Sequence, residues 1–392
     1  MPTFLHHHLH HGHSNEFTQI LRSRNLRAFA FGIARVFIPL FLITVYGGLE
    51  EALWPITVFI LSGYGLRLLL IPQYAALVIK LGAKHAMSVS FVSGVVALLM
   101  TAYLQTNLWY IAALGFFLGA ANALFFLAYH IDLALTLKKT KAVKHGIGSV
   151  EMIRKIVLAL GPLFGGIVAT QISEKALFVA AAAFMVMAIS ALYLKEDDVL
   201  SHNTNLNLGS LKIYRKYWRD FVANFAMGIN VNAASFLWSI LLFVVIGTYQ
   251  AVGFVLAISL VMSLVIITFT RRHDSAKSDR KEIRGGSTAT SAIHMARPFV
   301  ETASMAAGVN FFNDIAYSFL YVPYVDRCYK RIRKKDGMTY VTVMEVAAVL
   351  GHLVMWLSFT GLFVVLGQNS AFIGAFALAA VAALFVRLIS RE

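Results

Sequence analysis

Arg35 and Asp314 are the charged side chains set in the least favourable surroundings. Arg35 stands inside a long apolar run, eight residues beyond Arg27. On a helix that is roughly 12 Å further along the axis, too deep for easy snorkelling. A charge at the centre of a membrane helix costs on the order of 3 kcal/mol or more and normally faces a partner or a water-filled cavity. Asp314 stands in a second apolar run, sharing a helical stripe with Asn310 and Tyr317, with Asn313 beside them. The stripe offers hydrogen bonds to a polar solute, and Asp314 is its proton carrier. Asn122 and Asn230 add amides in two further runs. These seven residues are the expected solute-binding set. The plainer alternatives are a structural ion pair for Arg35 and a span-end acid reaching interfacial water for Asp314.

Other chemistry is poorly represented. No Ser-His, Cys-His or metal-ligand cluster recurs in the apolar runs, so neither an enzyme nor a cofactor or metal is expected. No glycine-rich phosphate loop precedes a Lys-Ser/Thr pair, which argues against ATP as an energy source. His6, His7, His8, His10, His11 and His13 make a tail with incidental metal affinity. The single Cys328 excludes an internal disulfide.

The elements that must position these residues follow from composition and charge. Hydrophobic residues make up 59% of the 392, charged residues 14%, and mean hydropathy is +0.71. Lys and Arg alternate between gaps: 28 of the 34 fall in every second gap or at the ends. Basic loops stay on the cytoplasmic side, so the alternation predicts twelve crossings with both ends cytoplasmic. A crossing needs roughly 20 residues. Spans are placed near 27–48, 52–73, 86–105, 107–132, 146–170 and 174–194, then 217–246, 249–270, 285–303, 305–326, 338–366 and 369–388. The first run reads as a retained span rather than a cleaved signal. The ninth span, with His294, Arg297 and Glu301, is too polar for hydropathy to find. Parity requires it, because without it the basic residues from Arg327 to Lys335 would lie outside.

The expected fold is an all-α membrane protein, twelve transmembrane helices in two six-helix bundles related by a parallel repeat. Its parts are a tail (1–26), an N-terminal bundle (27–194), a central cytoplasmic loop (195–216), a C-terminal bundle (217–388) and a short end (389–392). The net charge of +15 lies in loops that the topology already explains. Anionic lipid is therefore the expected counter-charge, and nucleic acid is not an expected partner. The repeat shows in the acids. Asp132, a basic cluster and Glu151 recur as Asp326, a basic cluster and Glu345, both acids 194 residues on. Asp132, Glu151, Arg154, Asp326 and Glu345 are expected to form a cytoplasmic gate of salt bridges. Static ion pairs are the alternative. Arg67 is expected to reach toward the cytoplasmic interface, and Arg297 has no assigned role.

Over residues 20–390 the chain resembles the major facilitator superfamily, chiefly in topology. Lys80, Gly82 and Lys84 fit the family's loop between spans 2 and 3, while Ile79 and Ala75 replace its acid and leading glycine. Gly161, Pro162, Gly165 and Gly166, with Gly148 thirteen residues earlier, resemble the span 5 signature of proton-coupled exporters. Val157 stands for one expected glycine, and Gly115 for the arginine expected in span 4. Ordinary small-residue packing explains the span 5 glycines equally well. The resemblance implies that spans 1, 4, 7 and 10 line a cavity. It also implies a secondary transporter, a monomer, that moves a small solute across the cell membrane by alternating access, the span 5 signature tilting it toward an antiporter that exports in exchange for protons. A mid-membrane arginine favours a solute with an anionic group. The alternative is a transport-inactive membrane scaffold or receptor of the same fold.

Overall fold

The computed structural model describes residues 13–139, 143–193, 211–270, 276–332 and 337–389, which contain helices and no strand. They form twelve helical rods. The first six are α1 (His13–Ala34 and Phe37–Tyr46), α2 (Leu49–Ile60 and Leu66–Leu81), α3 (Ala83–Ala102), α4 (Leu108–Lys139), α5 (Val143–Gln171) and α6 (Glu174–Tyr193). The short helix Leu211–Lys216 precedes α7 (Trp218–Asn232 and Trp238–Ile246). Then come α8 (Tyr249–Thr270), α9 (Ala276–Ala296), α10 (Ala303–Ile332), α11 (Gly337–Leu366) and α12 (Gln368–Phe385). Eight of these, all but α5, α8, α9 and α10, are long and apolar enough to cross a bilayer. Shorter apolar helices, Ile156–Gln171 and Tyr249–Met262, lie within α5 and α8.

Packing repeats with a period of six helices. In the first half α1 packs on α5 and α6, α3 on α4 and α6, and α2 on α4. In the second, α7 packs on α11 and α12, α9 on α10 and α12, and α8 on α10. The halves meet through α2 with α11 and α5 with α8, pairs that exchange when each helix is advanced by six. Gly47 and Gly247 close α1 and α7 with left-handed φ of 85° and 81°.

The span 5 motif lies on these seams. A Cβ at Gly161 would strike the backbone of Gly32 on α1, and one at Gly166 would strike that of Tyr249 on α8. Gly253 of α8 is equally close to the Pro162 carbonyl. Small residues here let backbones touch, as membrane helix contacts require.

The polar ninth helix is amphipathic the wrong way round for a soluble protein. Ser287, Thr290, His294 and Arg297, spaced three, four and three apart, are all buried, while Met295 and Phe299 are exposed. Its polar stripe faces the bundle and its apolar face looks outward, so mean hydropathy misses it. Arg387, after α12, donates from Nε to Ser287 Oγ and from Nη2 to Thr288 Oγ1, both at 2.5 Å. The helix ends in a single 3₁₀ turn, Arg297–Phe299, where Pro298 follows Arg297.

His6 to His11 and residues 195–210 lie outside the described residues, and α1 already begins at His13.

Candidate solute-binding site

Three interruptions of regular helix converge on one cavity. In α1, Pro39 has no N–H to give to the Arg35 carbonyl, and the helix yields to a turn at Arg35–Val36. In α2 a π-helical turn covers Leu61–Gly65, and in α7 another covers Ala233–Leu237. Each turn aims side chains or bare backbone at the same space. The cavity is lined by Phe31, Arg35, Ile38, Phe59, Ile60, Gly63, Tyr64, Arg67, Gly115, Leu118, Gly119, Asn122 and Phe236. Its floor is thin, because a Cβ at Gly119 would strike the Gly63 carbonyl of α2. The free volume is about 40 Å³, room for a few waters at roughly 10–15 Å³ each. A sugar-sized solute enters this space only if the walls part.

Arginines dominate the N-terminal side. Arg35 donates across the halves to Ser235 Oγ at 3.5 Å. Arg27 donates to Asn122 Oδ1 at 2.8 Å and lies 3.7 Å from the Phe125 ring centroid and 4.4 Å from that of Phe31. Arg67 is buried and pairs with Glu345 of α11. Arg27 Nε and Arg67 Nε are buried without a hydrogen-bond partner. Such groups are costly inside a membrane unless something occupies the cavity beside them.

The C-terminal half holds a second polar centre. Arg297 is fully buried. Its Nη1 meets His294 Nδ1 at 3.1 Å, and His294 Nε2 meets Asn230 Oδ1 at 2.9 Å. The guanidinium lies 4.9 Å from the Trp238 ring centroid. Trp238 Nε1 donates to Asn310 Oδ1 at 3.1 Å, and the Asn310 amide donates to Ser259 and, at 3.5 Å, to Asp314 Oδ2. A helix too polar for hydropathy thus carries one end of a network joining α7, α8, α9 and α10.

Contacts between the halves lie toward both ends of the helices. Toward the basic loops, besides Arg67 and Glu345, His130 Nδ1 of α4 meets Tyr329 Oη of α10 at 2.8 Å. At the other end Thr44 Oγ1 meets Tyr249 Oη at 2.7 Å, and Thr57 Oγ1 meets Thr360 Oγ1 at 3.2 Å. Trp356 Nε1 also donates to Thr57 Oγ1 at 3.1 Å.

Of the seven expected solute-binding residues, Arg35 and Asn122 line this cavity. Asn230, Asn310 and Asp314 belong to the second centre. Asn313 is buried with Oδ1 unpartnered, and Tyr317 stacks on Tyr321 at 5.1 Å. Among the expected gate residues, Glu345 meets Arg67, and Asp326 pairs with Lys330 of its own helix at 2.8 Å. Asp132 is buried. The side chains of Glu151 and Arg154 lie outside the described residues. Arg67 turns inward to the other half rather than toward the interface where sequence placed it. Trp238 carries no signal in the sequence that marks it as part of this centre, and His294 and Arg297 show there only as the unexplained polarity of the ninth span. No group of three or more metal-ligating side chains occurs among the described residues.

Rods paired by a six-helix period, with a cavity that holds buried arginines among apolar walls, have the build of a polytopic membrane solute transporter. The family description "Major Facilitator Superfamily" matches residues 23–272, and the chain belongs to that family, one of transporters rather than enzymes. No curated protein sequence matches the chain. Three solved structures share its fold. The human organic anion transporter MFSD10 (TETRAN) is 11% identical with a TM-score of 0.69, covering 96% of this chain and 100% of its own. The E. coli fucose:proton symporter FucP is 13% identical with a TM-score of 0.65, covering 97% and 100%. The nucleoside transporter NupG is 13% identical with a TM-score of 0.63, covering 96% and 100%.

Proposed function

We propose that the protein is a secondary active transporter of the cell membrane that carries a small solute by alternating access, with its basic loops and both ends cytoplasmic. The observation that carries this reading is the central cavity bounded at each end by its own contacts between the halves. Parting one set while keeping the other exposes the cavity to one side at a time. Binding that favours one arrangement then shifts the population between them. Fucose, nucleosides and organic anions, the solutes named for the similar structures, are all small molecules. Asp314, joined to Asn310, is the proton carrier in this reading. The span 5 glycines and Pro162 favour export in exchange for protons.

Purified protein in liposomes tests this. An imposed pH gradient is expected to drive accumulation of a carried solute, and Asp314→Asn to abolish that accumulation while solute exchange continues. Asp314→Asn protein with unaltered pH dependence would remove the coupling role. A wild-type protein that carries no solute under any gradient would leave the scaffold reading.

A further inference from the structure

The charge around the cavity does not balance. Arg35 and Arg67 line it, and Arg27 stands directly behind Asn122. Glu345 is the acid that meets these three guanidiniums, and it meets Arg67 alone. Arg35 contacts a neutral hydroxyl at the long limit of a hydrogen bond, and Arg27 a neutral amide and aromatic faces. Among the described residues two cations are therefore left without an anion in a low-dielectric setting, while buried Nε atoms of Arg27 and Arg67 have no partner there. Apart from Tyr64 and Asn122, the remaining walls are apolar. Phe59 and Phe236, one from each half, lie nearly parallel at 17° with centroids 6.5 Å apart. Gly63, Gly115 and Gly119 also line the cavity, their backbones packed on one another where α2 meets α4.

We propose that the cavity binds an organic anion, one negative group on a flat apolar body, and that this anion competes with Glu345 for Arg67. The inference deepens the transporter reading of the same cavity. Arg35, held at the break in α1, is the first anchor because its fork has only the distant Ser235 to release. An anion on Arg35 also sits beside Arg67, whose planar fork presents more than one edge. Two acids on one guanidinium repel each other, so entry of the ligand weakens the contact that ties α2 to α11. By reciprocity, weakening that contact strengthens anion binding. The solute's charge thereby becomes the signal that loosens one end of the closed cavity.

Calorimetric titration of the full chain in lipid nanodiscs, with benzoate and phenyl phosphate set against the neutral benzamide and phenol, tests both parts. The anions are expected to bind and the neutral compounds not to. Arg35→Gln should weaken anion binding on the order of tenfold or more, the effect of losing one charge-assisted contact. Glu345→Gln should tighten it. If Arg35→Gln does not fold, Arg35→Lys supplies the comparison, keeping the charge, losing the fork and binding more weakly than wild type. Equal binding of neutral and charged compounds, no binding of either anion, unchanged affinity in the Arg35 variants, or weaker binding in Glu345→Gln would each overturn the proposal. Carriage of a neutral hexose or nucleoside into liposomes would then leave the transporter reading standing. Anion binding without carriage of any solute would do the reverse.

Discussion

Arg67→Met is expected to destabilise the protein by about 3–5 kcal/mol, the usual consequence of stripping one partner from a buried ion pair. Glu345 would be left desolvated against α2 with nothing to offset its charge. The double variant Arg67→Met with Glu345→Met should recover most of that loss, because both charges leave together and apolar groups of similar volume take their place. Thermal unfolding in detergent, read by tryptophan fluorescence, makes the comparison. A double variant as unstable as the single would mean that Arg67 matters through packing rather than charge. In that case the contact between α2 and α11 would no longer be an electrostatic one. The pair also joins the two halves, so the stable double variant should close the basic end less firmly.

Arg297→Met is expected to have a comparable or larger effect, again about 3–5 kcal/mol, and Arg297→Lys should not rescue it. A fully buried guanidinium meets His294 at 3.1 Å and the face of Trp238 at 4.9 Å. An ammonium has neither the planar surface to lie on the indole nor the fork to reach the imidazole at the same time. Losing it also unsettles Asn230, which His294 holds. The same unfolding measurement decides the matter. Wild-type stability in Arg297→Lys would show that charge alone, and not the planar group, is what this centre requires.

The contrast between these two arginines says what a sequence of this kind discloses. The alternation of Lys and Arg between gaps, a signal independent of hydropathy, calls for twelve helices, and twelve rods are found, eight of them long and apolar enough to cross a bilayer. That is how the ninth helix was placed by parity although its buried face is Ser287, Thr290, His294 and Arg297. The helices nonetheless run past the predicted spans: α4 to Lys139, and α9 from Ala276. Helix continues into the loops where no hydrophobic signal follows it. The recurring acids were legible as a pattern, but not their partners. Glu345 finds Arg67, 278 positions away, and such distant pairing depends on how the halves dock. Arg35 and Asn122, expected from polarity inside their spans and from the family resemblance, both line the cavity. The π turns could not, since Leu61–Gly65 and Ala233–Leu237 carry no residue that forces an extra backbone unit into the helix. The break in α1 had a local cause in Pro39, and its meaning came only from the cavity it faces.

Distances between spin labels across the two ends bear most directly on the claim that the halves rock about one cavity. After Cys328→Ala, one pair is placed by Trp109→Cys and Val365→Cys at the end away from the basic loops. The other is placed by Lys80→Cys and Arg284→Cys at the basic end. All four positions are exposed. In nanodiscs, changes of pH and of organic anion should move the two distances in opposite senses, one widening as the other narrows. Two distances that stay fixed under every condition, or widen together, would contradict alternating access in this protein.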